Sequence, residues 1–378
     1  MSNVSRYDCI VAGVGGMGSA AAYHLAKRGL KVLGLERFNI PHDMGSSHGI
    51  TRIIRLAYYE HPAYVPLLKR AYELWRDLQS AAGEPLLITT GSIDTGPPDS
   101  QVFEGSRQSC VEHGLPHEIL DSAALTRRFP GYRLPKETMA VLQPDGGFLL
   151  PERCIVAHAN QALALGAEIH GCEQLLEWEP RGDGVSVRTD RASYEAATLV
   201  LTTGAWVGQY APELQHVAAP ERQVLVWMQP KRPELFTPQR FPVFNLTVSE
   251  GRWYGFPVYG VPGFKYGRWH HLEQSCDPDH MDRACHRRDE ELLRVLAERY
   301  FPEAAGPTLA LKACIFTNTP DEHFILDLHP RHPQVVLASA CSAHGFKFCS
   351  VVGEILADLA QKRATRHDIG MFKLARFG

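Results

Sequence analysis

The glycine triplet Gly13-x-Gly15-x-x-Gly18 constrains this chain more than any other feature. It follows the apolar run Asp8-Cys9-Ile10-Val11-Ala12, which reads as a buried strand. It opens the helical pattern Ser19 to Lys27, closed by Gly29, and Val32-Leu33-Gly34-Leu35 then completes a strand–helix–strand unit. In such a unit the first glycine makes the tight turn and the second admits a pyrophosphate to the backbone N–H groups. The third lets helix and strand pack closely, and the helix N-terminus favours negative charge. Met17 lies inside this turn. Glu36 ends the second strand, 23 residues after Gly13. A carboxylate there accepts ribose hydroxyls and repels a 2′-phosphate, so NADP is disfavoured while NAD and FAD stay open.

With 378 residues, at ~150 per domain, the chain holds two domains or one large one. Its 44% apolar and 21% charged content is globular and excludes intrinsic disorder. Lys plus Arg total 39 against 42 Asp plus Glu, a net charge of −3, so no basic surplus serves nucleic acid or an anionic membrane. The nine cysteines contain no C-x-x-C pair, which argues against a zinc ribbon, a thioredoxin-type motif or a disulfide scaffold. No signal-peptide pattern, ~20-residue apolar span or peroxisomal C-terminal tripeptide is present. The expectation is a cytoplasmic protein with a small-molecule partner.

Helical spacing is expected over 63–80, Arg153 to Leu165, 283–300 and Val352 to Gln361. Strands are expected at Ala167-Glu168-Ile169, at Leu199 to Thr203 ending in Gly204, and at Gln334 to Ser339. Residues 220–270, rich in aromatic and β-branched side chains broken by proline, suggest an antiparallel sheet. The fold class is therefore α/β with mixed α+β character. A Rossmann-like nucleotide domain, built from 1–84, 146–215 and 321–378, is interrupted by a mostly antiparallel β substrate domain, 85–145 and 216–320.

Chemistry-bearing residues fall in loops, turns and strands alike. Gly45-Ser46-Ser47-His48-Gly49-Ile50-Thr51-Arg52-Ile53-Ile54-Arg55 is as readily a solvated loop as a binding one, although arginine suits a carboxylate or an electron-rich ring. Lys347, in Ala340-Cys341-Ser342-Ala343-His344-Gly345-Phe346-Lys347, stands on a strand-to-helix turn and can pair with an anion. Lys265, between strand-like aromatics, is a solvated lysine or, if it takes the pocket-facing side of a strand, a candidate base or electrostatic partner for superoxide. Tyr254 reads as a sheet tyrosine, and the aromatics of 253–269 fit either sheet packing or a bulky substrate. His270-His271 has no carboxylate or cysteine at ligand spacing, so no metal centre is expected. Cys314 reads as a buried hydrophobe.

Taken together these segments resemble the monomeric sarcosine oxidase family, which includes N-methyltryptophan oxidase and pipecolate oxidase, from Tyr7 to about residue 363. The strings that carry the likeness are Gly45 to Arg55, Tyr254-Gly255-Phe256-Pro257, Thr317 to Asp327 and His344-Gly345-Phe346-Lys347. The resemblance implies FAD, attached covalently to Cys314, and a monomer. It implies that His48 and Arg52 pack against the flavin ring, with Ser47 and Thr51 in the same loop. Arg55 and Lys347 fall where the family binds the substrate carboxylate, Lys265 at the lysine that promotes reaction with oxygen, and Tyr254 at an active-site tyrosine. Thr203, Gly204 and Trp206 resemble a second FAD stretch, and Arg37 follows the ribose-binding glutamate. The implied reaction moves a hydride equivalent from a secondary amino acid, N-methyl or cyclic, to FAD N5. Oxygen becomes hydrogen peroxide, and an N-methyl imine hydrolyses to formaldehyde and an amino acid. An FAD dehydrogenase with another acceptor, or a silent nucleotide-binding homologue, is the alternative. Two departures stand out. Trp269 occupies the family's usual histidine position, leaving His270 one residue late, and Ala340 and Ala343 replace glycines.

Overall fold

A computed structural model describes residues 5–378. The strand Ser5–Ala12 runs parallel to Val32–Leu35 on one side and to Ser193–Leu201 on the other. Glu168–His170 extends the parallel order beyond Val32–Leu35, and Val335–Ser339 extends it beyond the C-terminal half of Ser193–Leu201. Strands buried on both faces need continuous apolar sequence. Val32–Leu35 and Val335–Ser339 are accordingly buried throughout. Cys9 and Val11 point into one core, which holds the helices Gly16–Lys27, Tyr64–Ala82, Pro151–Ala164 and Cys349–Lys362. Ile10 and Ala12 point into a second core on the opposite face. The last helix begins at Cys349, three residues before the expected Val352, because a 3-10 turn over Phe346–Phe348 leads into it.

A second, nine-stranded sheet gathers Ser92–Gly96, Glu118–Asp121 and Met139–Gln143 with strands between Ala219 and Asn318. It is antiparallel except where Val243–Val248 runs parallel to Ser92–Gly96. Alternation along its strands divides the side chains cleanly. Val224, Val226, Trp253, Phe264 and Tyr266 pack against the helix Arg287–Tyr300. Leu225, Tyr254, Phe256 and Lys265 therefore share the other face, with Lys265 in register with both Phe256 and Trp227. That face looks across a cleft to the C-terminal ends of the parallel strands, where open α/β sheets bind ligands.

Candidate active site

The cleft encloses about 1770 Å³ of space between atoms, counting its open mouth. It extends from the glycine turn at Gly13 and Gly15 to Arg55 and Lys347. Its floor is the glycine turn. A Cβ on Gly18 would lie 1.7 Å from the Gly13 carbonyl oxygen, so helix and strand touch there, while Gly15 has nothing within 4 Å of its missing side chain. Backbone N–H groups of the helix start are thus exposed to a pyrophosphate. Glu36 is buried, and its two oxygens accept the N–H groups of Val14 (2.8 Å) and Phe38 (3.0 Å). The carboxylate so held faces the cleft beside Arg37 and Trp206, which share Asp279 as acceptor. Thr203, at the end of the neighbouring strand, keeps a buried Oγ1 without a partner in the cleft wall. An open glycine cradle, an oriented carboxylate and a free hydroxyl fit FAD. Met17, Ser47, Gly204, Gly345 and Phe346 line the same cleft.

Arg55 and Lys347, far apart in sequence, meet at the other end. Both lie over the Tyr58 ring, at 4.4 and 5.4 Å from its centroid. Arg55 donates to Glu60 Oε2 at 2.7 Å and approaches Asp94 at 3.8 Å, with all three side chains buried. Burial opposes the Glu60 charge, but Arg55, His344 and Lys347 outweigh it and hold its pKa below the usual range. Lys347 donates to the His344 carbonyl at 2.7 Å, and burial followed by Arg55 brings its pKa down to about 7. His344, a cleft residue, is kept neutral by burial, its pKa down to about 4. Glu60, with Oε1 buried and unpartnered, and Asn245 are cleft residues that sequence reasoning missed. Neither stands in a motif; Glu60 is five residues from Arg55 in sequence, and Asn245 is brought to the cleft only by the fold.

Cys314 is buried in the cleft wall, opposite Gln223 on the neighbouring strand, with Arg52 Nη2 at 3.8 Å from its sulfur. Burial raises its thiol pKa and Arg52 pulls the other way. Arg52 donates to Ser46 O at 2.8 Å, which pins the 45–55 loop over this wall. Tyr254 also lines the cleft; its ring crosses Gly267, where a Cβ would meet the hydroxyl at 2.5 Å.

Besides Gly18, which packs beneath the glycine turn, four expected site residues stand back from this main cleft. Lys265 Nζ donates to Gly49 O, Thr51 O and Thr51 Oγ1 at 2.6 to 2.9 Å, beneath the loop, and burial lowers its pKa well below the lysine range. Thr51 is buried with it. His48 faces a second, adjoining pocket with His42 and Glu152; its Nε2 is buried without a partner, and burial and then Arg52 push its pKa down to about 3. His270 is turned away by a left-handed φ of +53° and is held between Glu221 (2.7 Å) and Glu322 (3.2 Å). Trp269 lines the cleft in its place. His270 and His271 follow the strand rather than lie in it, so strand alternation does not govern them. Ala343 adopts a φ of +63°, the left-handed region that glycine occupies without strain.

The cleft thus joins a dinucleotide-binding turn to a buried pair of cations. The model of the FAD dependent oxidoreductase family matches residues 8–359. Among curated relatives, the monomeric sarcosine oxidase of Streptomyces avermitilis is 42% identical over 97% of this chain and 96% of its own. The N-methyl-L-tryptophan oxidase of Citrobacter koseri is 35% identical over 98% and 99%. Of solved structures, NikD, an unusual amino acid oxidase essential for nikkomycin biosynthesis, is 27% identical with a TM-score of 0.83, covering 98% of this chain and 97% of that one. The chain belongs to the FAD-dependent oxidoreductase family and, within it, to the family of the monomeric sarcosine oxidases. Its cofactor is FAD.

Proposed function

We propose that this protein is an oxidase of a secondary amino acid, N-methyl or cyclic, with oxygen as acceptor. The observation that carries the reading is the meeting of Arg55 and Lys347 around Tyr58. One carboxylate can bridge these cations, and Arg55 offers the planar fork that carboxylates favour. Glu60 tempers their charge, and its free Oε1 can accept an N–H from the substrate amine. Cys314 would hold FAD covalently, and the bound flavin would supply the two-electron acceptor, with oxygen as terminal acceptor and hydrogen peroxide as its product. The imine product of an N-methyl substrate hydrolyses to formaldehyde and the primary amino acid. The same reading makes the chain a monomer and divides it into a discontinuous FAD-binding domain, 1–84, 146–215 and 321–378, and a catalytic domain, 85–145 and 216–320. The eight-stranded and nine-stranded sheets agree with that division, while a three-stranded sheet of Arg52–Ile54, Gly147–Leu149 and Leu87–Thr89 crosses it.

The test is an absorbance spectrum before and after acid precipitation, then anaerobic titration with sarcosine, N-methyltryptophan and pipecolate. Flavin absorbance that bleaches with one of these amines is expected; yellow protein that never bleaches would refute the reading. A second reading, a dehydrogenase with another electron acceptor, rests on Lys265, whose ammonium is occupied by three acceptors of the loop. Peroxide yield in air separates the two. For an oxidase, Lys265→Met is expected to slow reoxidation far more than reduction, because a cation near developing superoxide acts electrostatically. Stopped-flow measurement of both half-reactions checks this, and equal losses would remove the oxygen role.

A further inference from the structure

Trp269 belongs to the wall of the substrate chamber, the part of the cleft it shares with His344, and it is held from several directions. The Arg252 guanidinium lies 3.8 Å over its ring, and its Nε1–H points to Glu322 Oε1 at 3.3 Å. Phe316 stands 6.1 Å away, and His344 lies nearly parallel to it, at 18° and 6.4 Å. Three of these contacts converge on Glu322. Its carboxylate also accepts Arg252 Nη2 at 3.1 and 3.2 Å and pairs with His270 at 3.2 Å. Its backbone carbonyl accepts His344 Nε2–H at 2.8 Å. Since a carbonyl only accepts, this bond fixes the tautomer and leaves His344 Nδ1 to receive the Tyr58 hydroxyl at 2.5 Å.

Glu322 itself adopts a φ of +58°, which a residue with a side chain keeps only where its surroundings enforce it. Here the enforcement comes from both ends. The backbone carbonyl is tied to His344 and the carboxylate to Trp269, Arg252 and His270. His270 and Arg252 bring two cations, and Glu221 supplies a second anion on His270, so the cluster is close to neutral. An indole clamped this way cannot swing aside to admit a larger side chain.

We propose that Glu322 is a positioning residue that clamps Trp269 as the size-selecting wall of the chamber, restricting this chain to small secondary amino acids. The inference rests on the chamber being the amino-acid site. It is tested on the holoenzyme with Trp269→Ala, Glu322→Ala, Glu322→Gln and the double alanine variant. Wild type is expected to favour sarcosine over N-methyltryptophan. Each alanine variant is expected to shift the ratio of kcat/KM toward N-methyltryptophan by about tenfold or more, the range that pocket volume commands, through KM for the bulky substrate. Glu322→Gln, which keeps an acceptor for the indole, is expected to shift it less. The double variant is expected to add nothing to Trp269→Ala, since clamp and wall act as one. An unchanged ratio, or additive shifts, would overturn the proposal. Calorimetric Kd values for acetate and indole-3-acetate read the same wall without turnover. Should no amine be oxidised, the function fails, while the ratio of those Kd values still decides on the wall. Should Glu322→Ala not fold, Trp269→Ala and Glu322→Gln carry the test.

Discussion

Lys347→Met is expected to lower kcat/KM for carboxylate-bearing amines roughly thirty- to a few-thousand-fold, with a much smaller effect on an uncharged amine. The magnitude follows from removing one partner of a buried, hydrogen-bonded charge pair, which costs about 2–5 kcal/mol. Arg55 cannot compensate, because Glu60 already occupies one edge of its fork and Asp94 stands 3.8 Å away. Lys347 is the less neutralised of the two cations, its Nζ bonded only to the His344 carbonyl. A pH signature follows. With its pKa brought down to about 7, Lys347 is charged below that pH and neutral above it. Only the charged form attracts a carboxylate, so the Kd of acetate is expected to rise as pH increases through about 7. Acetate carries no amine to titrate, which isolates the protein's own proton. In Lys347→Met this rise is expected to vanish. Calorimetry across pH 6 to 9 checks both points, and equal damage to charged and uncharged substrates would remove Lys347 from carboxylate binding.

The readable part of this protein was local. The steps from Ala12 through Gly18 to Glu36 lie within one strand–helix–strand unit, so spacing alone describes their geometry. The β character of 220–270 was legible because strand alternation is local as well. Long-range meetings were not. Nothing in the positions of Arg55, Glu60, Asp94 and Lys347 places two cations and two carboxyls around one tyrosine, since those positions derive from three segments joined only by the fold. Family resemblance pointed to Arg55 and Lys347 but was silent on Glu60. His270 escaped for a different reason. Strand reasoning asks only which face a residue takes, whereas the strand ends at Arg268 and the left-handed turn at His270 sends the imidazole to Glu221. Backbone conformation at a single position decided that, and no periodicity encodes it.

Cys314→Ala is expected to abolish covalent flavin retention, so that acid precipitation leaves a colourless pellet and a yellow supernatant. Eight other cysteines could in principle compete, and the structure narrows them by position. Cys9, Cys110, Cys154, Cys172, Cys276 and Cys285 are absent from the walls of the main cleft. Cys349 reaches the cleft only at the glycine turn, where its sulfur would lie 2.8 Å from a Cβ on Gly16. Cys341 alone shares the far wall with Cys314, and its sulfur already accepts the Thr317 N–H at 3.4 Å. Attachment needs a thiolate. Burial disfavours that form at Cys314, yet Arg52, with Nη2 3.8 Å from the sulfur, favours it. Arg52→Met is therefore expected to slow flavinylation of freshly added FAD while leaving Cys314 in place, which separates activation of the thiol from its position. Retention of flavin by Cys314→Ala but not by Cys341→Ala would transfer the attachment to Cys341 and move the reactive end of the cofactor to the other side of the same wall.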